Sequence, residues 1–251
     1  MLKKWNVTIP ELSGDVPRKA YIYLPDAWEE DPKKRYPVLY MFDGHNIFLD
    51  EDAAFGKSWG MKKYMDETKT ELIIVAVECN HQGNRRLAEY APFPYRNKAH
   101  GKIQGTAPVL LDWMVNTLKP YIDANYPTIP DREHTMIAGS SMGGLIALYG
   151  TLAYNHVFQR AACLSPSLWV CPRKALAMVA KSSPAPDTVI YMDYGQLEMG
   201  NHKENPRILR HTVSFLMKKK VNLAFRIVQN GNHSEASWEK QIPVFMECLG
   251  L

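Results

Sequence analysis

The fold is decided by one stretch of sequence, His134-Thr135-Met136-Ile137-Ala138-Gly139-Ser140-Ser141-Met142-Gly143-Gly144-Leu145-Ile146. Its first five residues form an apolar run that predicts a buried strand, and the residues after Gly143 predict a helix. Between them, Ser141 occupies a sharp strand-to-helix turn. Small residues are needed two positions before and two after such a serine, because the backbone passes too closely for a Cβ. The stretch therefore predicts an α/β architecture.

Apolar runs alternate with helical stretches along the whole chain, which is typical of a mainly parallel sheet with helices on both faces. Two half-exposed strands are predicted first, at residues 5–9 and 19–24. Buried strands are predicted at residues 36–42, 72–77, 134–138, 160–164, 188–192 and 223–228. Helices are predicted at residues 61–67, 109–125, 144–154, 207–219 and 236–248. We expect one α/β domain over residues 1–251 with about eight strands.

Residues 80–105 interrupt this alternation, with two prolines and no clear period. An excursion of about 25 residues without regular structure is usually functional, so we expect a lid or a substrate-binding loop. Two interpretations of its side chains stay open, a substrate pocket or ordinary lid packing with exposed charges. The candidates for an aromatic acyl pocket are Tyr90, Phe93, Tyr95 and Trp169. The candidates for attracting an anionic substrate are Arg85, Arg86 and Arg96.

Composition excludes several classes of protein. The 30 Lys and Arg residues and 26 Asp and Glu residues give a net charge of +4 without a basic stripe, so no nucleic-acid partner is predicted. No long apolar window and no signal-like start are present, which predicts a cytoplasmic protein without a membrane partner. The four cysteines and eight histidines show no metal-ligand spacing, so neither a metal nor a cofactor is predicted. No interface signature indicates an oligomeric state.

The pattern G-x-S-x-G occurs twice, at residues 56–60 and 139–143. Ser58, in the first copy, follows an acidic, loop-like segment and precedes a predicted helix, so we expect it to cap that helix. Ser141, in the second copy, has the strand before it and the helix after it that a nucleophile elbow requires. Ser141 is therefore the candidate nucleophile.

A serine hydroxyl is a weak nucleophile at neutral pH, so a base and an acid should follow Ser141 in the order serine, acid, histidine. The histidine is expected in the loop after the last strand, where His233 lies. His202 and His211 come before that strand, and His211 falls within a helical pattern. His233 is the candidate base.

The acid is expected after the strand at residues 188–192. Glu198 lies past Gly195, in a loop from which a carboxylate can turn toward an imidazole, and we favour it. Asp193 continues the strand and is the main alternative, with Glu204 as a further one. The residues alone leave this choice open.

Two backbone N–H groups are needed to bind the oxyanion of a tetrahedral intermediate. Met142 follows the nucleophile and is expected to supply the first. The turn after the strand at residues 36–42 is expected to supply the second, from His45, with Gly44 shaping the turn. A role for His45 as the base is less favoured because His233 fills that place.

Five short motifs, taken in order, resemble one known family. They are D-G-H-N-I-F at 43–48, G-S-S-M-G-G at 139–144, S-P-S-L-W at 165–169, G-Q-L-E at 195–198 and G-N-H at 231–233. The set resembles an esterase family of α/β-hydrolases that includes esterase D-like enzymes, feruloyl and acetyl-xylan esterases, ferric-enterobactin esterases and mycolyltransferases. The resemblance spans nearly the whole chain and implies the α/β-hydrolase fold.

The siderophore-esterase branch of that family adds two expectations. Its G-x-x-E motif implies Glu198 rather than Asp193 as the acid. Its R-x-x-E-Y element and its S-P-S-x-W motif border the substrate cleft. By this resemblance the expected substrate-binding residues are Arg85, Arg86, Glu89, Tyr90 and Trp169.

Together these observations predict a serine carboxylic-ester hydrolase that works through an acyl-enzyme. The expected substrates are small-molecule acyl esters of an alcohol, a sugar or a siderophore, of feruloyl, acetyl or catecholate type. An acyltransferase with the same acyl-enzyme is one alternative. A catalytically silent binding protein on the same fold is the other.

Overall fold

The computed structural model describes residues 1–29, 31, 33–202 and 204–251, and a sheet of eight strands runs through it. The described strands, including a separate hairpin of β5 and β6, are β1 (Leu2–Ile9), β2 (Gly14–Tyr23), β3 (Val38–Phe42), β4 (Ile73–Val77), β5 (Tyr95–Asn97), β6 (Gly101–Ile103), β7 (Thr135–Ser140), β8 (Arg160–Leu164), β9 (Val189–Gly195) and β10 (Asn222–Val228). The sheet order is β1-β2-β4-β3-β7-β8-β9-β10. Within this sheet, β2 pairs antiparallel with β1 and β4, and the other neighbouring strands are parallel. The predicted, mostly parallel sheet is confirmed.

The helices lie mainly in the connections between strands. The described α-helices are α1 (Pro10–Ser13), α2 (Met61–Thr68), α3 (Arg85–Glu89), α4 (Ala107–Trp113), α5 (Lys119–Asn125), α6 (Met142–Ala153), α7 (Pro172–Lys181), α8 (Asn205–Lys218), α9 (Glu235–Glu239) and α10 (Ile242–Cys248). A π-helical turn, Met114–Leu118, joins α4 to α5 just before Pro120, whose ring nitrogen has no hydrogen to donate. The helix predicted at 236–248 is two helices, and Pro243 lies at the start of the second.

Two hydrophobic clusters cover the two faces of the sheet. Successive residues of β3 point to opposite faces, so Tyr40 joins one cluster and Met41 the other. Helices α4 to α8 pack on the Tyr40 face, and helices α2 and α10 pack on the Met41 face. This arrangement confirms the prediction of one α/β domain with helices on both sides of the sheet.

The prediction that residues 80–105 lack regular structure is wrong. Helix α3 and the β5–β6 hairpin lie within this segment. A buried ion pair anchors α3 to the sheet: Arg18 on β2 donates two hydrogen bonds to Glu89, at 2.6 and 2.8 Å. Because Arg18 lies 71 positions away, local sequence carries no sign of this anchor. Helix α7 was likewise not predicted.

The carboxyl ends of the parallel strands gather the candidate residues at one edge of the sheet. Asp43 follows β3, Ser141 follows β7, Glu198 follows β9 and His233 follows β10. In open α/β sheets this edge is where ligands bind. Among the described helices, none combines the length and the apolar character needed to cross a membrane.

Candidate active site

Ser141 lies at the tip of a tight turn between β7 and α6. Its backbone has a φ of +58° and a ψ of −122°, a conformation that costs a non-glycine residue about 1–3 kcal/mol. Small neighbours make the turn possible, since a Cβ on Gly139 would lie 2.6 Å from the backbone of Gly143. A Cβ on Gly144 would lie 2.7 Å from the Leu164 carbonyl oxygen. The predicted elbow is present, with the serine hydroxyl raised above the sheet edge.

A chain of hydrogen bonds links Ser141 to the two residues expected to act with it. His233 Nε2 lies 2.8 Å from Ser141 Oγ, and His233 Nδ1 lies 2.6 Å from Glu198 Oε2. The histidine side chain is 37% exposed, whereas that of Glu198 is 2% exposed. The imidazole can therefore exchange protons with a molecule in the cleft, while the carboxylate is shielded from water.

The second oxygen of Glu198 is held by groups that sequence reasoning did not identify. Oε1 accepts hydrogen bonds from Gly195 N at 3.0 Å and from Ser165 Oγ at 2.7 Å. Trp238 Nε1 in turn donates to Ser165 Oγ at 3.1 Å. The edge of the Trp238 ring also packs against the His233 ring, with 5.0 Å between centroids. Ser165 opens the S-P-S-L-W motif, which was the available signal for its role.

The two alternative acids lie elsewhere. Asp193 accepts hydrogen bonds from the Tyr191 hydroxyl at 2.9 Å and from Ser165 N at 3.1 Å. Burial raises the pKa of Asp193 to about 6. Glu204 is exposed and forms an ion pair with Arg207. Of the three acids considered from the sequence, Glu198 is the one that contacts the histidine.

The turn after β3 carries the predicted oxyanion donors. It is a single 3-10 turn, Gly44–Asn46, whose first hydrogen bond runs from Asn46 N to Asp43 O at 2.7 Å. The N–H groups of Gly44 and His45 therefore precede the hydrogen-bonded part of the turn. Met142 is the first residue of α6, and the first four N–H groups of a helix have no acceptor within it.

A network of polar contacts fixes that turn. Asp43 has a left-handed backbone with a φ of +57°, and its carboxylate accepts two hydrogen bonds from Arg86, both at 2.7 Å. Burial opposes ionisation of Asp43, but the Arg86 guanidinium outweighs it and lowers the pKa of the carboxyl group. The backbone N–H of Asp43 donates to the Tyr90 hydroxyl at 3.0 Å. Gly44 is required here because a Cβ would lie 2.9 Å from the Tyr21 ring.

A cleft of about 510 Å³ opens beside Ser141 and His233. Much of its wall is aromatic, and the side chains concerned are Phe42, Phe55, Trp59 and Trp238. Phe55 is 82% exposed and stands at the rim. The cleft therefore combines a reactive hydroxyl with an apolar wall that can hold part of a substrate.

Of the five residues expected to bind substrate, Arg86 lines this cleft. Glu89 is buried in its ion pair with Arg18, and the Tyr90 ring is 1% exposed. Arg85 is exposed on α3, outside the lining of the cleft. Trp169 stacks on His202, with 3.7 Å between ring centroids. The R-x-x-E-Y element thus contributes mainly to holding α3 in place.

Ser58, in the other G-x-S-x-G copy, is 1% exposed and lies in a polar turn. Its hydroxyl donates to Asp50 Oδ1 at 2.7 Å and accepts from Gly60 N at 3.1 Å. The prediction that Ser58 caps a helix is wrong, because Gly60 is the N-cap residue of α2. No histidine is among the hydrogen-bond partners of Ser58 in the described part of the chain.

Among the described residues, one group of side chains could hold a metal ion. His45, Cys79 and His81 each offer a ligand atom, and these atoms lie within 4.8 Å of one another. All three side chains line the cleft that contains Ser141. His45 follows β3, whereas Cys79 and His81 follow β4. The spacing of these residues along the sequence did not indicate that they form a group.

Several known proteins are similar to this chain in sequence or in fold. A Bacillus subtilis protein described as uncharacterized protein YbbA is 25% identical over 197 residues, which cover 77% of this chain and 73% of that protein. The siderophore triacetylfusarinine C esterase of Aspergillus fumigatus is 25% identical over 219 residues, covering 82% and 71% respectively. The crystal structure of an IroE-like serine hydrolase from Shewanella oneidensis superposes with a TM-score of 0.72 at 18% identity, covering 100% and 88%.

The sequence model of the esterase family, described as "Putative esterase", matches residues 13–246. This match includes the elbow, the turn after β3 and the loops that carry Glu198 and His233. The structural likeness agrees with the α/β-hydrolase fold. The chain therefore belongs to this esterase family and is a carboxylesterase-type hydrolase.

Proposed function

We propose that the protein cleaves carboxylic esters through an acyl-enzyme formed on Ser141, with His233 as the base and Glu198 as the acid. The observation that carries this proposal is the continuous chain of hydrogen bonds from Ser141 Oγ through both nitrogens of His233 to Glu198. A hydroxyl, an imidazole and a carboxylate in this order are the groups that activate a serine for attack on a carbonyl.

In the first half of the reaction, Ser141 Oγ attacks the ester carbonyl carbon while its proton passes to His233 Nε2. Glu198 accepts the hydrogen bond from Nδ1 and stabilises the imidazolium that forms. The tetrahedral intermediate then collapses, the bond to the alcohol oxygen breaks, and His233 returns the proton to that oxygen. In the second half, water replaces the alcohol and repeats these steps, which releases the acid and restores the serine.

The negative charge that develops on the carbonyl oxygen is bound in this scheme by the N–H groups of Met142 and His45. Both groups lie at the starts of helical turns, where an intrahelical acceptor is missing. The ion pair of Asp43 with Arg86 holds the β3 turn in position before substrate arrives. A preorganised donor of this kind contributes about 10²–10³-fold to turnover.

The aromatic wall of the cleft supports esters with an aromatic acyl group, such as feruloyl or dihydroxybenzoyl esters of a small alcohol, a sugar or a siderophore. Phe42, Phe55 and Trp59 present apolar surface beside Ser141. The similarity to the siderophore triacetylfusarinine C esterase of Aspergillus fumigatus supports a siderophore ester. Attraction of an anionic substrate receives less support, because Asp43 neutralises the charge of Arg86.

Hydrolysis of an ester panel tests this proposal. The panel contains methyl acetate, methyl ferulate, triacetylfusarinine C and a catecholate siderophore, with the Ser141→Ala variant as the blank. We expect release of the free acid by the wild type, with a higher kcat/KM for aromatic acyl esters than for methyl acetate. If no ester is hydrolysed by the folded protein, the proposal is wrong.

Two additions to the panel sharpen it. Added alcohol or sugar separates hydrolysis from acyl transfer, since a transferase forms the new ester in preference to the free acid. The Phe55→Ala variant removes an aromatic side chain at the rim of the cleft, and an aromatic contact contributes about 0.5–1.5 kcal/mol. We expect KM to rise roughly fivefold for the feruloyl ester and to stay the same for methyl acetate.

A further inference from the structure

A second set of reactive side chains lines the cleft, and the proposed ester hydrolysis does not use it. His45, Cys79 and His81 place one ligand atom each within 4.8 Å of one another. The distance between Cys79 Sγ and His81 Nδ1 is 4.0 Å. A thiolate and two imidazoles are ligands that zinc prefers, and three protein ligands with an open fourth position are typical of accessible zinc sites.

The topology of the sheet brings these residues together. β3 and β4 are parallel neighbours, and Phe42 at the end of β3 pairs with Val77 at the end of β4. His45 follows the first strand by three positions, and Cys79 and His81 follow the second by two and four positions. The same edge of the sheet that carries Ser141 therefore carries this group.

One ring nitrogen of His45 lacks a hydrogen-bond partner among the described residues. Its side chain is 6% exposed, and its Nδ1 is buried without a hydrogen-bond partner. Its ring packs against the edge of the His81 ring, with 4.6 Å between centroids. A buried polar atom without a partner costs about 1–3 kcal/mol, and a bound ion is one kind of partner that would offset this cost.

The carboxylate of Glu78 lies near the other ring nitrogen of His81, beyond hydrogen-bond distance. While Nδ1 faces Cys79, Nε2 lies 3.9 Å from a carboxylate oxygen of Glu78. Histidines that bind metals usually direct the other ring nitrogen toward a carboxylate in this way. Zinc bonds of about 2.3 Å to sulfur and 2.1 Å to nitrogen place the two atoms about 3.6 Å apart in a tetrahedral site. The Cys79–His81 pair is therefore about 0.4 Å wider than a bound ion requires, and the pairs with His45, within 4.8 Å, would close by up to about 1.4 Å.

The geometry points to a zinc-binding site formed by His45, Cys79 and His81 in the wall of the active-site cleft. The fourth position of the ion faces the cleft and takes water or a substrate oxygen. Bound zinc occupies part of the space beside Ser141 and restrains His45, whose N–H is the candidate oxyanion donor. We therefore expect zinc to inhibit ester hydrolysis reversibly.

Binding is tested separately from catalysis in the Ser141→Ala protein, which keeps the cluster. After dialysis against a chelator, the protein is titrated with Zn²⁺ by calorimetry and with Co²⁺ by absorption spectroscopy. We expect one ion per chain and a thiolate-to-cobalt charge-transfer band. Absence of binding, or binding without that band, would overturn the inference while leaving the proposed hydrolysis untouched.

Variants locate the ion. His81 is 55% exposed, so His81→Ala should fold even if Cys79→Ala, at a buried position, does not. We expect each variant to lose more than the roughly 10–100-fold in affinity that changes around metal ligands cause. Cys171→Ala and His100→Ala, which alter a cysteine and a histidine outside the cluster, should bind zinc as the parent does. Unchanged affinity in His81→Ala would contradict the assignment.

Inhibition gives the second measurement, in the protein with Ser141 intact. The zinc concentration that halves turnover should rise by more than about tenfold in His81→Ala relative to wild type. Equal sensitivity of the two proteins would place the inhibiting ion elsewhere, for example on His233, and would overturn the proposed site.

Discussion

The chain contains the pentapeptide G-x-S-x-G twice, and its two copies have different structures. Ser141 follows a buried strand, adopts a φ of +58° and directs its hydroxyl to His233 at 2.8 Å. Ser58 follows a loop, is 1% exposed and directs its hydroxyl to Asp50 at 2.7 Å. One hydroxyl is held for reaction in a cleft, and the other is a structural hydrogen-bond donor.

The difference shows that the pentapeptide alone does not specify a nucleophile. What distinguishes the Ser141 copy is the strand before it, the helix after it and a histidine brought from a distant loop. The glycines also serve different purposes, since Gly139 allows close backbone packing whereas Gly60 has a φ of +71° at the start of α2. This contrast leads to measurements in which the two serines should behave in opposite ways.

The largest expected effect is on turnover. Ser141→Ala should lower kcat by about 10⁴–10⁶-fold, because the nucleophile is lost and only substrate binding and the oxyanion donors remain. The kcat of Ser58→Ala should stay within about threefold of the wild-type value, provided that the variant is assayed below its melting temperature. Steady-state hydrolysis of the best ester in the panel measures both. Comparable losses in the two variants would remove the distinction between the copies.

The acids Glu198 and Asp193 extend the comparison. Glu198→Gln should lower kcat by about 10³–10⁴-fold, since an amide no longer stabilises the imidazolium or fixes its tautomer. Asp193→Asn should change kcat by less than about tenfold, because Asp193 contacts Ser165 and Tyr191 rather than the imidazole. The same assay measures both variants. A larger loss in Asp193→Asn than in Glu198→Gln would reverse the assignment of the acid.

Asp193 should instead influence the pH dependence of stability. The pKa of Asp193 is about 6 in the folded protein, compared with an ordinary value of 3.8. The folded state therefore binds the proton more tightly than the unfolded state does. The resulting stabilisation is complete below pH 3.8 and is lost as the pH rises through 6. At pH 7 the loss is on the order of 3 kcal/mol.

The unfolding free energy of the wild type should therefore fall relative to that of Asp193→Asn between about pH 4 and pH 7. Denaturant unfolding of both proteins across this range measures the difference. Asp15→Asn, at an exposed position, is the matched control and should keep the pH dependence of the wild type. A constant difference between wild type and Asp193→Asn would show that Asp193 does not titrate in this way.

The smallest expected effect concerns the structural serine. Ser58→Ala removes a buried hydroxyl that bonds Asp50 and leaves Gly60 N without its acceptor, which should cost about 1–2 kcal/mol of unfolding free energy. Ser141→Ala should change the unfolding free energy by less than about 0.5 kcal/mol. Chemical denaturation of both variants at one pH provides the comparison. A more stable Ser58→Ala would contradict the role assigned to this hydroxyl.

Local patterns in the sequence were sufficient for the parallel strands and for the chain positions of Ser141 and His233, whereas the choice of Glu198 as the acid also drew on the family resemblance. Buried parallel strands appear as apolar runs, and the order of Ser141, Glu198 and His233 follows from the order of the strands. Contacts between distant segments were not predictable in this way. Whether Glu89 faces the cleft or the core depends on Arg18, 71 positions away.

The supporting contacts of the site were missed for the same reason. Ser165 receives the Trp238 indole from 73 positions further along the chain, and His45 meets Cys79 because β3 and β4 are neighbours. The resemblance to esterases correctly supplied the family. It did not show which side chains of residues 80–105 line the cleft, since that depends on how α3 docks on the sheet.

The role of Ser141 as the nucleophile is tested by intact-mass analysis after treatment with a fluorophosphonate, which labels activated serines. The wild type, Ser141→Ala and Ser58→Ala proteins are treated under identical conditions, and circular dichroism confirms that each is folded. We predict one adduct on the wild type and on Ser58→Ala and none on Ser141→Ala. An adduct that persists on Ser141→Ala, or a folded wild type that takes up no label, would contradict this prediction.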